Sequence, residues 1–191
     1  MREIQSLIEA LVSGDEPRAE AAANEIPKLG EAALGELLEL RRSDVPDERW
    51  WATRALANFQ CQAAAEALRE SLSDRDLGVR QCATLALRHV PSPAAIPALL
   101  QAMASDDALL SRLASDALTA VGPPALQPLK RAARSQHAGT RLGAIRALGH
   151  MAIPDAVPIL FAALDDPSPL VQFWAEDGLQ RIGVGMVFFQ K

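Results

Sequence analysis

The sequence predicts an all-α protein, a right-handed α-solenoid of about six stacked helical hairpins. Three observations predict it. First, one segment recurs every 30 to 31 residues: Arg49-Trp-Trp-Ala52-Thr-Arg-Ala55-Leu56, Arg80-Gln-Cys-Ala83-Thr-Leu-Ala86-Leu87, Ser111-Arg-Leu-Ala114-Ser-Asp-Ala117-Leu118, Arg141-Leu-Gly-Ala144-Ile-Arg-Ala147-Leu148 and Gln172-Phe-Trp-Ala175-Glu-Asp-Gly178-Leu179. A weaker copy starts at Ala19 with Ala22 and Ile26, so the anchors step by 30, 31, 31, 30 and 31 residues. A period that steady marks stacked units. Second, Ala and Leu dominate, Tyr is absent and aromatics make up 4% of the chain, which favours helix over strand. Third, apolar residues recur at helical spacing and are interrupted by Gly and Pro at regular places.

Each element follows from that period. Residues 1–14 carry Ile4, Leu7, Ile8 and Leu11 at helical spacing and read as an N-terminal helix covering the first repeat. Every repeat then opens on a helix with small or apolar residues at the anchor +3, +6, +7 and +10, as in Ala83, Ala86, Leu87 and Val90. Alanine at +3 and +6 lets helices approach closely. Gly30, Gly122 and Gly183 stand at +11, where a helix end favours a left-handed residue. Proline follows in three copies (Pro91 and Pro93, Pro123 and Pro124, Pro154) and suits the first turn of a second helix. That helix carries Ala65, Leu68 and Leu72 in one copy, Ile96, Leu99 and Met103 in the next, and Val157, Leu160 and Leu164 in a later one. The copy at Ser111 slips by one residue and offers Leu126 and Leu129. Short turns rich in Asp and Ser supply caps for the next helix. The count is about twelve helices in one domain spanning 1–191: a capping helix at 1–14, repeats over 15–183 and an apolar tail at 184–191. Three readings of that tail stay open: it folds back as a cap, it drives homodimerisation through the C-terminal end, or a longer chain continues from it.

Composition narrows the setting. No leader pattern opens the chain and no apolar run approaches the roughly 18 residues of a membrane span, so a cytoplasmic location is expected. Cys61 and Cys82 are read as free thiols, one ending a helix and the other starting the equivalent helix of the next repeat, too far apart to bridge. Net charge is −5 but uneven. The first 50 residues hold twice as many acids as bases. Between Asp116 and Asp155 there is no acid, while Lys130, Arg131, Arg134, Arg141 and Arg146 fall in that window. The window reads either as a solvated helical face or as a site for an acidic partner or a nucleic-acid backbone.

Val79-Arg80-Gln-Cys-Ala83-Thr-Leu-Ala86-Leu87 followed by Pro93-Ala-Ala-Ile96-Pro97-Ala-Leu99-Leu100 resembles a HEAT repeat, of the short phycobilisome-lyase HEAT-like type. Asp155-Ala-Val157-Pro158-Ile-Leu160 followed by Leu164-Asp165-Asp166-Pro167 repeats the resemblance, which covers nearly the whole chain. It implies a scaffold or adaptor, with chromophore lyases, iron-dependent hydroxylases and DNA glycosylases as relatives of other function. Fold does not select among these. The resemblance also implies a contact from a turn aspartate to the anchor arginine: Asp74 or Asp76 with Arg80, and Asp44 or Asp47 with Arg49.

Chemistry is hard to place on these residues. The hydroxylase type carries His-Glu pairs after the anchor, where this chain has Trp50-Trp51, Gln81-Cys82, Arg112-Leu113, Leu142-Gly143 and Phe173-Trp174. His89 and His150 share position +9 but lie two repeats apart, too far to share an ion with bonds of about 2 Å. They read as polar residues near helix C-termini. Asp106-Asp107 and Asp165-Asp166 read as turn and cap residues. No cofactor, metal or catalytic residue is expected. Trp50 and Trp51 stand four repeats from Trp174, so they form no single cleft for a flipped base, and net acidity argues against a phosphate-dominated binder.

The expected function is therefore a non-catalytic scaffold or adaptor that binds another protein or peptide segment through the concave side formed by the second helices. Outward positions there hold Glu36 and Glu39, then Glu66, Arg69 and Glu70, then Leu100 and Gln101, then Lys130, Arg131 and Arg134, and finally Phe161. Trp50 and Phe173, at +1, are candidate exposed aromatics, and Trp51, at +2, is assigned to the packing. The alternative is a lyase-like protein handling a bilin chromophore, for which Arg131 or Arg134 would meet ligand carboxylates. A nucleic-acid binder or DNA glycosylase comes third.

Overall fold

The computed structural model describes residues 2–184. The structure of the tail from residue 185 onward, and with it the capping and dimerisation readings, lies outside the described residues. All regular structure among these residues is helical. The helices form two compact units, Met1–Val90 and Pro91–Lys191.

The first unit holds α1 (Arg2–Leu11), α2 (Glu16–Glu25), α3 (Glu31–Leu40), α4 (Pro46–Leu56), α5 (Gln62–Ser71) and α6 (Leu77–His89). α1 packs on α2. The second holds α7 (Ile96–Met103), α8 (Ala108–Val121), α9 (Leu126–Ala132), α10 (Ala138–Met151), α11 (Val157–Ala163) and α12 (Pro169–Arg181). In both units each second helix packs on the first helix of the following repeat: α3 on α4, α5 on α6, α7 on α8, α9 on α10 and α11 on α12.

In each unit the core is built from two sets of residues set by the period. In the first helices, Ala52, Ala83, Ala114, Ala144 and Ala175 at +3 are fully buried, as are Ile26, Leu56, Leu87, Leu118 and Leu148 at +7. In the second helices, Leu37, Leu68, Leu99, Leu129 and Leu160 form the matching buried set, with the one-residue slip at Leu129 as read from the sequence. Alanine on the first helices leaves room for the leucines of the second.

Helix ends follow the composition of the turns. Asp15, Asp76 and Asp107 cap α2, α6 and α8 by accepting the amides of Arg18, Val79 and Leu110. His137 takes the same role for α10, accepting the Thr140 amide at 3.3 Å. Pro93, Pro123 and Pro154 each open a short 3₁₀ segment before the second helix, and Pro27 is the second residue of another. Cys61 begins α5 as its N-cap instead of ending α4, which stops at Leu56. Both thiols are free. Burial pushes the Cys82 thiol up to about 12 and so holds it uncharged.

In the copies anchored at Ala19, Ser111, Arg141 and Gln172 the residue at position +11 has a positive φ. Gly30 and Gly122 have φ of 70° and 74° with ψ near −145°, a region open only to glycine. The corresponding residue of the fifth copy is Ala152, at φ 51° and ψ 37°. A left-handed non-glycine costs about 1–2 kcal/mol, while glycine loses about 0.4–1 kcal/mol through greater freedom of the unfolded chain. Ala152 is exposed, so removing its methyl leaves no cavity. Ala152→Gly is expected to raise stability by about 0.5–1 kcal/mol. A lower melting temperature in calorimetry would contradict this.

Candidate partner-binding surfaces

The charged turns are structural. Arg49 is nearly buried and forks onto Asp74, with Nε to Oδ2 at 2.9 Å and Nη2 to Oδ1 at 2.8 Å. Its Nη1 donates to the carbonyls of Ser43 and Asp44 at 3.0 and 3.1 Å. Arg141 repeats the arrangement with Asp166 at 2.7 and 3.0 Å and with the carbonyls of Ser135 and Gln136. Each anchor thus binds its own turn through carbonyls and the following turn through a carboxylate 25 residues on. This corrects the expected register. Arg80 meets Asp74 through the backbone carbonyl at 2.7 Å, not the carboxylate. Asp76 is a helix cap, and the Asp44 carboxylate pairs with Arg75 at 3.3 Å. The reason is reach: the anchor sits one turn inside its helix, so its own loop presents carbonyls to it, and the next loop presents a side chain.

The turn residue six before each anchor is a second column. Ser13, Ser43, Asp74, Ser105, Ser135 and Asp166 each accept the amide two residues ahead. Where the column holds Asp it also takes the preceding arginine. Gln172 replaces arginine by donating to the Asp166 carbonyl at 2.7 Å, and Ser111 donates to the Met103 carbonyl. The Arg141 hydrogen bond outweighs burial and holds Asp166 below the usual carboxylate range. For Asp74 burial pushes upward, but the bonds from Arg49 and the Asp76 amide and the charges of Arg49 and Arg75 bring it below that range as well.

Two first-helix arginines are bound too. Arg54 pairs with Glu20, and Arg146 with Asp116 at 2.7 Å. The Arg146 guanidinium also lies 5.4 Å from the centre of the Trp174 ring, which meets His150 and Phe173 edge-on. Burial and the charges of Arg146 and Arg181 push the His150 imidazole below its ordinary value.

The sequence-predicted candidates distribute as follows. Glu66 and Glu70 are exposed on α5, bonded to Gln62 and Arg41, and Arg69 is half-buried between them. Gln101 is exposed on α7. Lys130 is half-buried, and Arg131 and Arg134 are exposed on α9 and its closing turn. Phe161 on α11 is 36% exposed, and Phe173 on α12 is 57% exposed. Trp50 and Trp51 are both half-buried, because Trp50 lies over Gly78 and meets Trp51 edge-on at 4.8 Å. The basic window therefore divides. Arg141 and Arg146 are consumed by Asp166 and Asp116, and Lys130, Arg131 and Arg134 have no carboxylate partner among the described residues.

Two grooves of the second unit are lined by described residues. One, of about 320 Å³, runs between α9 and α11 and is lined by Lys130, Ala133, Arg134, Pro158, Ile159 and Ala162 above the Asp166 pair. Its α11 wall was not singled out from the sequence, although Pro158 and Ala162 stand at outward positions of the period. The other, of about 510 Å³, lies between α8 and α10, where Gly139 and Gly143 lack side chains. Arg112 and Leu142 flank it and Trp174 closes one end. Among the described residues no group of three His, Cys, Asp or Glu side chains is arranged to hold a metal ion. None of the described helices is long and apolar enough to cross a membrane.

The family model for HEAT repeats matches residues 34–119 and 126–184. The chain belongs to the HEAT-repeat family. Among solved structures, this HEAT-repeat protein aligns with Escherichia coli YibA at 16% identity over 98% of this chain and 76% of that one, TM-score 0.62. A designed armadillo repeat protein in complex with the peptide (KR)4 aligns at 20% identity over 94% and 99%, TM-score 0.56. The complex of CpcE and CpcF of phycocyanin lyase from Nostoc sp. aligns at 22% identity over 94% and 77%, TM-score 0.56. At these identities the likeness is one of fold. No functionally curated protein matches the chain.

Proposed function

We propose that this HEAT-repeat protein is a non-catalytic scaffold that binds another protein through the surface of its second helices. One observation carries the reading, the division of labour among the cations of the acid-free window between Asp116 and Asp155. Arg141 and Arg146, on the first helix α10, are each tied to a carboxylate. Arg69, Lys130, Arg131 and Arg134, in or just beyond the second helices, pair with none among the described residues. Charges left unpaired on an outward face are available to a partner, and they set specificity and association rate more than affinity. Peptide binding by the designed armadillo relative is consistent with such use of a helical-repeat surface.

The test is a pull-down from native lysate, comparing wild type with an Arg69→Glu/Arg131→Glu bait. A protein enriched on wild type is expected to bind the variant at least about tenfold more weakly in calorimetry, roughly 1.4 kcal/mol. Equal affinity for both baits would place the site elsewhere and sink the proposal. The bilin-handling alternative predicts tetrapyrrole absorbance on the purified protein after co-expression with a chromophore pathway.

A further inference from the structure

We propose that the groove between α9 and α11 docks an acidic, extended peptide segment in which carboxylate and apolar side chains alternate. The inference rests on the scaffold reading above and narrows it to one groove and one ligand chemistry.

The α9 wall supplies the charge. Lys130 and Arg134 are four residues apart and line the same groove. The Arg134 amide bonds the Arg131 carbonyl at 3.1 Å, so the helical turn continues to it. Four residues of helix advance about 6 Å along the axis. Alternate residues of an extended strand are about 6.6 Å apart and point to the same side. Carboxylates at positions i and i+2 of an extended peptide therefore match the two cations in step, and Arg131 adds positive potential beside them.

The α11 wall supplies the apolar half. Pro158, Ile159 and Ala162 face the groove, and Ala133 and Ala162 are small enough to leave it open. In an extended chain residue i+1 points away from i and i+2, so its side chain falls on this wall. The one acid in the lining, Asp166, does not repel such a ligand. Its oxygens are taken by Arg141 and the Ser168 amide, which leaves the pair neutral. The groove thus carries net positive charge from Lys130 and Arg134 over an apolar floor.

These features favour a peptide over a nucleic acid. A single-strand binder stacks bases on aromatic side chains along a basic track. No aromatic residue lines this groove, and the chain as a whole carries a net charge of −5.

The experiment is fluorescence anisotropy on the full chain with three labelled probes: a peptide alternating Glu and Val, its counterpart alternating Lys and Val, and a single-stranded oligonucleotide. The Glu–Val peptide is expected to bind at least about tenfold more tightly than the Lys–Val peptide. Lys130→Gln/Arg134→Gln and Ala162→Phe are each expected to weaken it by about tenfold or more, the first by removing charge and the second by filling the groove. Arg18→Glu, exposed on the first helix α2 and outside the binding surface, should leave it unchanged. Unaltered far-UV circular dichroism and melting establish that the variants fold. Equal binding of both peptides, indifference to the groove variants, or an oligonucleotide that binds more tightly and depends on the same residues would overturn the inference. A lysate partner lost with Arg69→Glu/Arg131→Glu but held fully by Lys130→Gln/Arg134→Gln and by Ala162→Phe would overturn it while the scaffold reading stands. Groove-dependent binding of the Glu–Val peptide with no lysate partner for wild type would support the groove chemistry and count against the scaffold.

Discussion

Replacing Arg49 with methionine is expected to destabilise the first unit by about 3 kcal/mol, the low end of the cost of breaking a buried ion pair. The side chains of Arg49 and Asp74 are 5% and 12% exposed, so little water reaches either. Removing the guanidinium strands the Asp74 carboxylate and takes donors from the carbonyls of Ser43 and Asp44. Most of the loss is the penalty for an unpartnered charge and not the net worth of the pair. That distinction can be measured, because the column of turn residues contains its own control. Serine at 43, 105 and 135 accepts the amide two residues ahead without a carboxylate. Asp74→Ser should keep that turn bond, so Arg49→Met/Asp74→Ser is expected to recover more than half of the single-variant loss in urea unfolding. If the double variant is no more stable than Arg49→Met, the stranded charge is not the cause.

The same pair has a signature in pH. Asp74 titrates lower in the folded protein than its ordinary value, so its contribution is fully present above the unfolded carboxylate pKa and is lost as pH falls through the folded one. In Arg49→Met only burial, the Asp76 amide and Arg75 remain, so the carboxyl moves up and protonates more readily. The gap between wild type and variant is therefore expected to narrow as the solution is taken from neutral pH to below the carboxylate range. A gap that is constant with pH would assign the loss to packing of the arginine stem.

The residue sets that build the core were legible in the sequence because their signal is local. Ala83, Leu87 and Leu99 occupy one stripe or another whatever the neighbouring repeat does, and the slip at Leu129 left its mark in the spacing. The partner of Arg49 was not legible in the same way. Asp44 and Asp74 are turn aspartates and Asp47 lies in the first turn of α4, and the stagger between successive turns decides which one is met. The spacing of 25 residues in both Arg49–Asp74 and Arg141–Asp166 was present in the sequence, but Arg80 is followed at that distance by Ser105, so two instances did not announce a rule. The α9 cations stood out by charge, yet the sequence did not separate them from Arg141 and Arg146, whose carboxylates lie 25 residues ahead and 30 residues back. The sequence assigned Trp51 to the packing and left Trp50 partly exposed, and the structure has both half-buried. The cover of Trp50 is Gly78, a residue without a side chain on the following helix, and no stripe pattern reports that.

The other large effect is expected where α10 and α12 cross. Gly149 and Gly178 are both buried, and a Cβ built on either would stand 2.7–2.8 Å from the Cα of the other. The obstacle is backbone, so no side-chain rotation relieves it and the helices must part. Alanine would gain up to about 1 kcal/mol in helix propensity over glycine. Overpacking a tight core costs about 1–3 kcal/mol, and Gly178 also faces Leu160 Cδ1 at 3.1 Å from its added Cβ. Steric cost outweighs propensity. Gly149→Ala and Gly178→Ala are each expected to lose about 1–2 kcal/mol. Because both changes open the same crossing, the double variant should lose less than the sum of the two. Gly35, in the exposed middle of α3, separates the two effects: an added Cβ there meets nothing within 4 Å. Gly35→Ala is therefore expected to stabilise by about 0.5–1 kcal/mol. If all three substitutions raise the unfolding midpoint, propensity governs and the α10–α12 contact is looser than its geometry. If the two crossing variants fall while Gly35→Ala rises, the missing side chains at 149 and 178 are what let the fifth and sixth first helices share one buried face.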